Sequence, residues 1–241
     1  MYPLIEIGPF NLSSGGLLLL VAIIFGVMQF ERVAQQRGGA PLAEHAARTV
    51  MPALLGGILT ARLWYGLFNW DLYSRSPELF VALRIADMAW PGALIGGLFA
   101  AWLWGRRHGL AISALADVAA LTLPAAQAIA CIGLLLSGEA FGMPTSLPWG
   151  IDLFGTLRQP TQIYLALAAL LSWFLIRRLQ HREYPAGTLF AAYLALQGLT
   201  LILIEPLRAD SLLLPYGLRV AQLAGLAWLL AAIAWRRDQT A

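Results

Sequence analysis

The stretch Cys131-Ile-Gly-Leu-Leu-Leu-Ser-Gly-Glu-Ala-Phe-Gly142 decides how the rest of the chain is read. It closes an apolar run that begins near residue 112. It also sets one carboxylate, Glu139, between Gly138 and Gly142, where the chain should leave a membrane. An ionisable group at such depth is costly and is a functional candidate by default. Glycine on either side lets the backbone turn sharply or approach a ligand closely. A plain helix C-terminus running into an exit loop, Met143-Pro-Thr-Ser-Leu-Pro-Trp-Gly150, accounts for the same residues equally well. The remainder of the chain has to weigh one reading against the other.

Working outward, the composition is that of a membrane protein. The 241 residues are 59% hydrophobic and 12% charged, against about 25% charged in soluble domains, and the mean hydropathy is +0.70. All sixteen basic residues are arginine. They stand in short clusters between apolar runs, which is how topology is encoded, so the basic pI of 9.3 is no sign of nucleic-acid binding. The lone cysteine, Cys131, rules out an intrachain disulfide and a multi-cysteine metal site. A thiol set among alanine, isoleucine and leucine reads as a packing residue, not a nucleophile. Met1-Tyr-Pro-Leu-Ile-Glu6 lacks the basic region of a secretory signal.

A spanning helix needs about 20 mostly apolar residues. Seven runs qualify, near 14–30, 48–69, 87–105, 112–136, 161–176, 187–205 and 217–235. Arg32, Arg37 and Arg48 follow the first run, Arg106 and Arg107 the third, Arg177, Arg178 and Arg182 the fifth, and Arg236 and Arg237 the last. The intervening connections hold fewer: Arg75 and Arg84, then Arg158, then Arg208. The positive-inside rule therefore predicts an all-α integral membrane protein of seven transmembrane helices, N-terminus outside and C-terminus cytoplasmic. No connection is long enough for a second domain, so 1–241 reads as one membrane domain, with 137–160 packing back over the bundle. This arrangement puts Glu139, Arg158, Glu205, Arg208 and Asp210 on or near the outer face. It puts His45, His108 and His181 on the cytoplasmic side, away from any outward site. Gly92 with Gly96, and Gly57 with Ala61, have the four-residue spacing that lets helices pack closely.

Several polar residues interrupt the apolar runs. Arg62 either snorkels to the interface or forms a phosphate clamp, and Arg219 has the same two readings. Asp117, at the start of the fourth run, reads as a cap or a counter-charge. Glu205 and Arg208 are three apart and could pair locally. Tyr164 has the depth of an interfacial anchor. Together the outer half has two carboxylates, several arginines, a tyrosine and a glutamine around a glycine-rich exit. Guanidinium forks bind phosphate oxygens and a carboxylate can move a proton, so the set suits an anionic lipid headgroup. No metal cluster, cofactor loop or serine–histidine pair is evident in the sequence.

In this order the motifs resemble the bacterial prolipoprotein diacylglyceryl transferases. Ile7-Gly-Pro-Phe10 is similar to the family's opening, and Ala61-Arg-Leu-Trp-Tyr65-Gly-Leu-Phe68 to its second-span motif. Pro91-Gly-Ala-Leu-Ile-Gly96 sits where the family has His-Gly-Gly-Leu-Leu-Gly. Ala130 to Gly142 overlies Gly-Arg-x-Gly-Asn-Phe-x-Asn-Gly-Glu-x-x-Gly. Leu147-Pro-Trp-Gly150 and Arg158-Gln-Pro-Thr-Gln162-Ile-Tyr164 follow in register, and Glu205-Pro-Leu-Arg208-Ala-Asp210 resembles Glu-Phe-Phe-Arg-x-Pro-Asp.

The resemblance implies a seven-span, cofactor-free enzyme of the bacterial inner membrane whose site faces the outer leaflet. Such an enzyme moves diacylglycerol from phosphatidylglycerol to the lipobox cysteine of a lipoprotein precursor, releasing glycerol 1-phosphate. It implies Glu139 and Glu205 as catalytic carboxylates, and Arg62, Tyr65, Gly142, Arg158, Gln162, Tyr164 and Arg208 as substrate-binding residues. Four departures fall on polar residues that the family uses: Cys131 and Leu201 replace arginines, Leu134 an asparagine and Pro91 a histidine. Losing an arginine removes a permanent charge and five donors. Two readings follow: a transferase with an altered active site, or a non-catalytic paralogue that binds lipid or a lipoprotein precursor. A small-solute transporter fits the spans but lacks an internal repeat or paired broken helices.

Overall fold

The computed structural model describes residues 4–7, 10–68, 70–75, 90–211, 213–214 and 217–238. Gly8 and Pro9 of the opening motif, Asn69 at the end of the second predicted span, Arg84, residues 87–89 and the side chain of Pro91 lie outside that description. Seven helices dominate the described residues: α1 (Ser14–Phe68), α2 (Trp70–Arg75), α3 (Trp90–Arg107), α4 (Ile112–Ser137), α5 (Thr161–Leu179), α6 (Thr188–Ile204) and α7 (Val220–Asp238). Among the described residues, four stretches are long and apolar enough to cross a membrane: Ser14–Leu67, Ile112–Ser137, Thr161–Leu179 and Thr188–Leu207. The fold is helical, as the sequence predicts, with short hairpins added. Two antiparallel hairpins, β1 (Leu4–Ile7) with β2 (Phe10–Ser13) and β3 (Ile151–Leu153) with β4 (Thr156–Arg158), stand before α1 and between α4 and α5.

The helix boundaries follow from local chemistry. Ser13 caps α1 by accepting the amide of Gly16 at 3.2 Å. The first two predicted spans, 14–30 and 48–69, fall in the two helical parts of α1, before and after Gly39 (φ 65°, ψ −159°), where the backbone leaves helical geometry just before Pro41. Only glycine takes that backbone easily. The α4 helix ends in a Schellman motif: Gly138 is left-handed (φ 75°) and the Glu139 amide reaches back to the Leu134 carbonyl at 3.0 Å. The α6 helix ends at Glu205, where Pro206 turns the chain into a 3-10 segment, Glu205–Leu207.

Two compact units divide the chain, one of residues 1–30 and 116–241, the other of 31–115. In the first, α4 supplies fully buried Val118 and Leu121, whereas α5 leaves Leu167 and Leu171 more than half exposed. That is the pattern of an enclosed helix and a lipid-facing one. Gly198 of α6 and Gly225 of α7 meet so closely that a Cβ on either would stand 2.6–2.7 Å from the other's carbonyl oxygen. In the second unit, Gly57 packs on Ala93, and Gly92 and Gly96 pack on Thr60, whose hydroxyl donates to the Gly92 carbonyl at 2.7 Å. The small residues picked out in the sequence are thus helix-packing surfaces.

Candidate active site

The first unit gathers seven of the nine predicted site residues onto one backbone scaffold: Glu139, Gly142, Arg158, Gln162, Tyr164, Glu205 and Arg208. After the Schellman turn, segment 141–145 runs antiparallel to chain on both sides. On one side the Met143 amide donates to Leu207 and the Ala209 amide to Phe141, at 2.8 and 2.9 Å. On the other, Thr145 donates to Leu157 and Gln159 to Met143, at 2.9 and 3.0 Å. Gly142 is paired with Arg208, and Pro144 with Arg158. The predicted packing of 137–160 over the bundle is therefore a stitched layer that ties the α4 exit to the end of α6. Gly142 is required by space: a Cβ there would collide with the Gln159 carbonyl oxygen and lie 2.8 Å from the Gln159 Cβ. The β3–β4 hairpin closes through Phe154 (φ 58°) and Gly155 (φ 71°), both left-handed as a two-residue primed turn demands.

The two carboxylates have opposite environments. Glu205 is buried, with its side chain only 5% exposed. Its Oε2 accepts Arg208 Nη1 at 3.2 Å, and Arg208 also donates to Asp210 Oδ1 through Nε and Nη2, both at 3.0 Å. Arg219 Nη1 donates to the Arg208 carbonyl at 2.9 Å. The local pair anticipated between Glu205 and Arg208 is formed, and Arg208 is neutralised by two acids. Glu139 is exposed, and its carboxylate has no hydrogen-bond or ion-pair partner among the described residues.

The remaining predicted ligands are engaged in ways the sequence did not disclose. Arg158 donates to the carbonyls of Leu153 and Gly142, both at 3.3 Å, and lies over the Phe141 ring at 5.1 Å. Gln162 is completely buried and gives its Nε2 to the Glu139 carbonyl at 2.8 Å. Tyr164 accepts Trp149 Nε1 on its hydroxyl at 2.8 Å, a pairing of two amphipathic rings suited to a membrane interface. Arg62 and Tyr65 belong to the second unit. There Arg62 is buried over the Tyr73 ring at 5.5 Å, and Tyr65 meets Tyr73 edge-on at 6.3 Å.

Sequence reading missed Thr161, fully buried, whose hydroxyl donates to the Ala140 carbonyl at 2.6 Å. Of the departures from the family pattern, Cys131 is buried, while Leu134 and Leu201 are half-buried. Asp117, anticipated as a cap, accepts the Gly187 and Phe190 amides at 2.7 and 2.9 Å, and so caps α6 from α4.

A helical protein with membrane-length apolar helices, and with carboxylates and arginines gathered at the helix ends, is the class this arrangement defines. The model of the family described as prolipoprotein diacylglyceryl transferase matches residues 3–236, and the chain belongs to that family of membrane enzymes. The phosphatidylglycerol–prolipoprotein diacylglyceryl transferase of Nostoc sp. is 36% identical over 251 residues, covering 96% of this chain and 88% of its own. The similarly named protein of Synechococcus elongatus is 35% identical over 239 residues, covering 92% and 82%. That of Shouchella clausii is 31% identical over 242 residues, covering 95% and 87%.

Proposed function

We propose that the chain transfers the diacylglyceryl group of phosphatidylglycerol, or a related phospholipid, to an acceptor thiol such as a lipobox cysteine. It would do so as a seven-span protein of the bacterial inner membrane, N-terminus outside, C-terminus cytoplasmic, with its site at the outer leaflet. What carries the reading is the family match over 3–236, which takes in both compact units and supports treating 1–241 as one domain. In the reaction the acceptor sulfur attacks the glyceryl carbon next to the phosphate ester. A C–S bond forms, the bond between that carbon and the phosphate-ester oxygen breaks, and glycerol phosphate leaves with the electron pair. Glu139, exposed and unpaired among the described residues, accepts the thiol proton and returns it to the departing phosphate. Glu205, tied to Arg208, holds that guanidinium in place. Arg158, Tyr164 and Arg208, all in the first unit, contact the headgroup, and Gly142 lets the backbone come close.

A second reading, a paralogue that binds lipid or a lipoprotein precursor without turning it over, draws on one observation. Arg158 and Arg208 are already engaged by protein carbonyls and carboxylates, and Cys131, Leu134 and Leu201 supply no charge in their neighbourhood. A transfer assay separates the two. Purified protein is incubated with phosphatidylglycerol and a lipobox peptide, and the peptide is weighed by mass spectrometry beside the Glu139→Gln variant. A diacylglyceryl adduct from the wild type that drops at least about a hundredfold in the variant is expected. No adduct from the wild type, while a relative's enzyme produces one, establishes the paralogue.

A further inference from the structure

We infer that Thr161 and Gln162, the first two residues of α5, are positioning residues that fix the Glu139 carboxylate; this rests on the reading of Glu139 as the proton acceptor. The turn that presents Glu139 has left-handed residues on both sides, Gly138 (φ 75°) and Ala140 (φ 53°). A residue with a Cβ seldom adopts that conformation unless its surroundings enforce it. Here they do. Glu139 is fastened at its own amide by the Leu134 carbonyl, and at its own carbonyl by Gln162 Nε2 at 2.8 Å. The next carbonyl, of Ala140, is held by the Thr161 hydroxyl at 2.6 Å. Only the carboxylate of Glu139 is left in the open.

Both gripping side chains are 0% exposed. At such positions apolar residues of similar size would normally be favoured, because a buried polar atom without a partner is costly. Gln162 bears that cost: its Oε1 is buried with no hydrogen-bond partner among the described residues. Turning the amide over would set Oε1 against the Glu139 carbonyl, two acceptors face to face, so its orientation follows from that contact. A glutamine held in full burial for its donor alone, beside a threonine doing the same for the adjoining carbonyl, marks a turn whose geometry matters. The two bonds also short-circuit the intervening loop, joining Glu139 directly to the start of α5 across residues 141–160. Glu139 therefore keeps its place whatever the β3–β4 hairpin does when a headgroup or peptide arrives. Displacing a reacting group by about 1 Å can cost roughly a hundredfold in rate, so a grip of this kind acts on turnover more than on lipid affinity.

The test uses Thr161→Val, Gln162→Leu and the conservative Thr161→Ser in phosphatidylglycerol nanodiscs, with the lipobox peptide as acceptor. Thr161→Val and Gln162→Leu should each lower kcat about tenfold or more, with KM for phosphatidylglycerol within about twofold, while Thr161→Ser retains wild-type turnover. Hydrogen–deuterium exchange gives a readout that does not need activity. The amides of 139–142 should exchange at least about tenfold faster in Thr161→Val and Gln162→Leu, and at the wild-type rate in Thr161→Ser. Unchanged exchange in the first two variants overturns the inference, as does a full loss of turnover in Thr161→Ser. If the wild type makes no adduct, the transferase reading falls, and the exchange rates alone decide whether the grip exists.

Discussion

Replacing Arg208 by glutamine and, separately, Glu205 by glutamine should have unequal effects, because the two halves of the pair are buried to different degrees and have different second partners. Glu205 is 5% exposed at its side chain and has no other side-chain partner among the described residues, whereas Arg208 is 17% exposed and keeps Asp210, itself 26% exposed. Removing the guanidinium leaves a carboxylate in the interior without compensation, which costs about 3–5 kcal/mol. Removing the Glu205 charge leaves Arg208 held at two nitrogens by Asp210, and loses one charge-assisted bond worth about 1.5 kcal/mol. The difference is roughly 2–3 kcal/mol. At about 2–4 °C per kcal/mol for a chain of this size, Arg208→Gln should melt about 5–10 °C below Glu205→Gln. Tryptophan fluorescence during thermal unfolding in nanodiscs would follow this, with the double variant completing the cycle. Equal losses, or a larger loss for Glu205→Gln, would refute the argument that Glu205 depends on Arg208 more than Arg208 depends on Glu205.

Two further outcomes follow from contacts in the same unit. Asp117→Ala deprives the buried Gly187 and Phe190 amides of their acceptor; at about 1–3 kcal/mol for each orphaned group, the melting temperature should fall by at least about 5 °C, with Asp117→Asn between it and the wild type. Gly142→Ala forces its Cβ into Gln159 and should cost about 1–3 kcal/mol; transfer to the lipobox peptide should fall more than stability does, because the segments on either side of Gly142 move apart.

What the sequence disclosed depended on how local the cause was. The end of α4 could be placed from Ser137-Gly-Glu because a Schellman turn is written in adjacent residues, and the Gly57, Gly92 and Gly96 surfaces from spacing alone. The Glu205–Arg208 pair, three residues apart, was legible for the same reason. The hairpin β3–β4 was not, because its turn is Phe154-Gly155 and phenylalanine is not a residue that announces a left-handed backbone. Asp117 reads as a cap or a counter-charge at the start of its own span, but no pattern reveals that it accepts the amide of Gly187, 70 residues later, at the start of α6. Gln162 could be placed at the site through family resemblance, but its grip on the Glu139 carbonyl, 23 residues back, could not be read from the sequence. Thr161 passed unnoticed because a threonine opening a helix after Pro160 reads as an ordinary start, and the acceptor for its hydroxyl, the Ala140 carbonyl, is far away in sequence.

The charge count of this layer bears on how an anionic donor would be held. Three arginines are linked to it, Arg158, Arg208 and Arg219, and four carboxylates, Glu139, Asp152, Glu205 and Asp210, stand within the same segments. Formal charges leave no positive excess, so attraction from a distance contributes little and recognition must come from directed donors. On the transferase reading, a phosphate reaching Arg208 has to replace one of its two acids. Glu205 is buried and bound at the end of α6, so its departure would strand a charge in the interior. Asp210 is the more exposed partner and lies beyond the 3-10 turn in irregular chain, where it can rehydrate at little cost. The exchange that the geometry favours is therefore phosphate for Asp210. One anion replaces another on the same guanidinium, the Glu205 pair stays intact, and Glu139 keeps its place through contacts that the exchange does not touch.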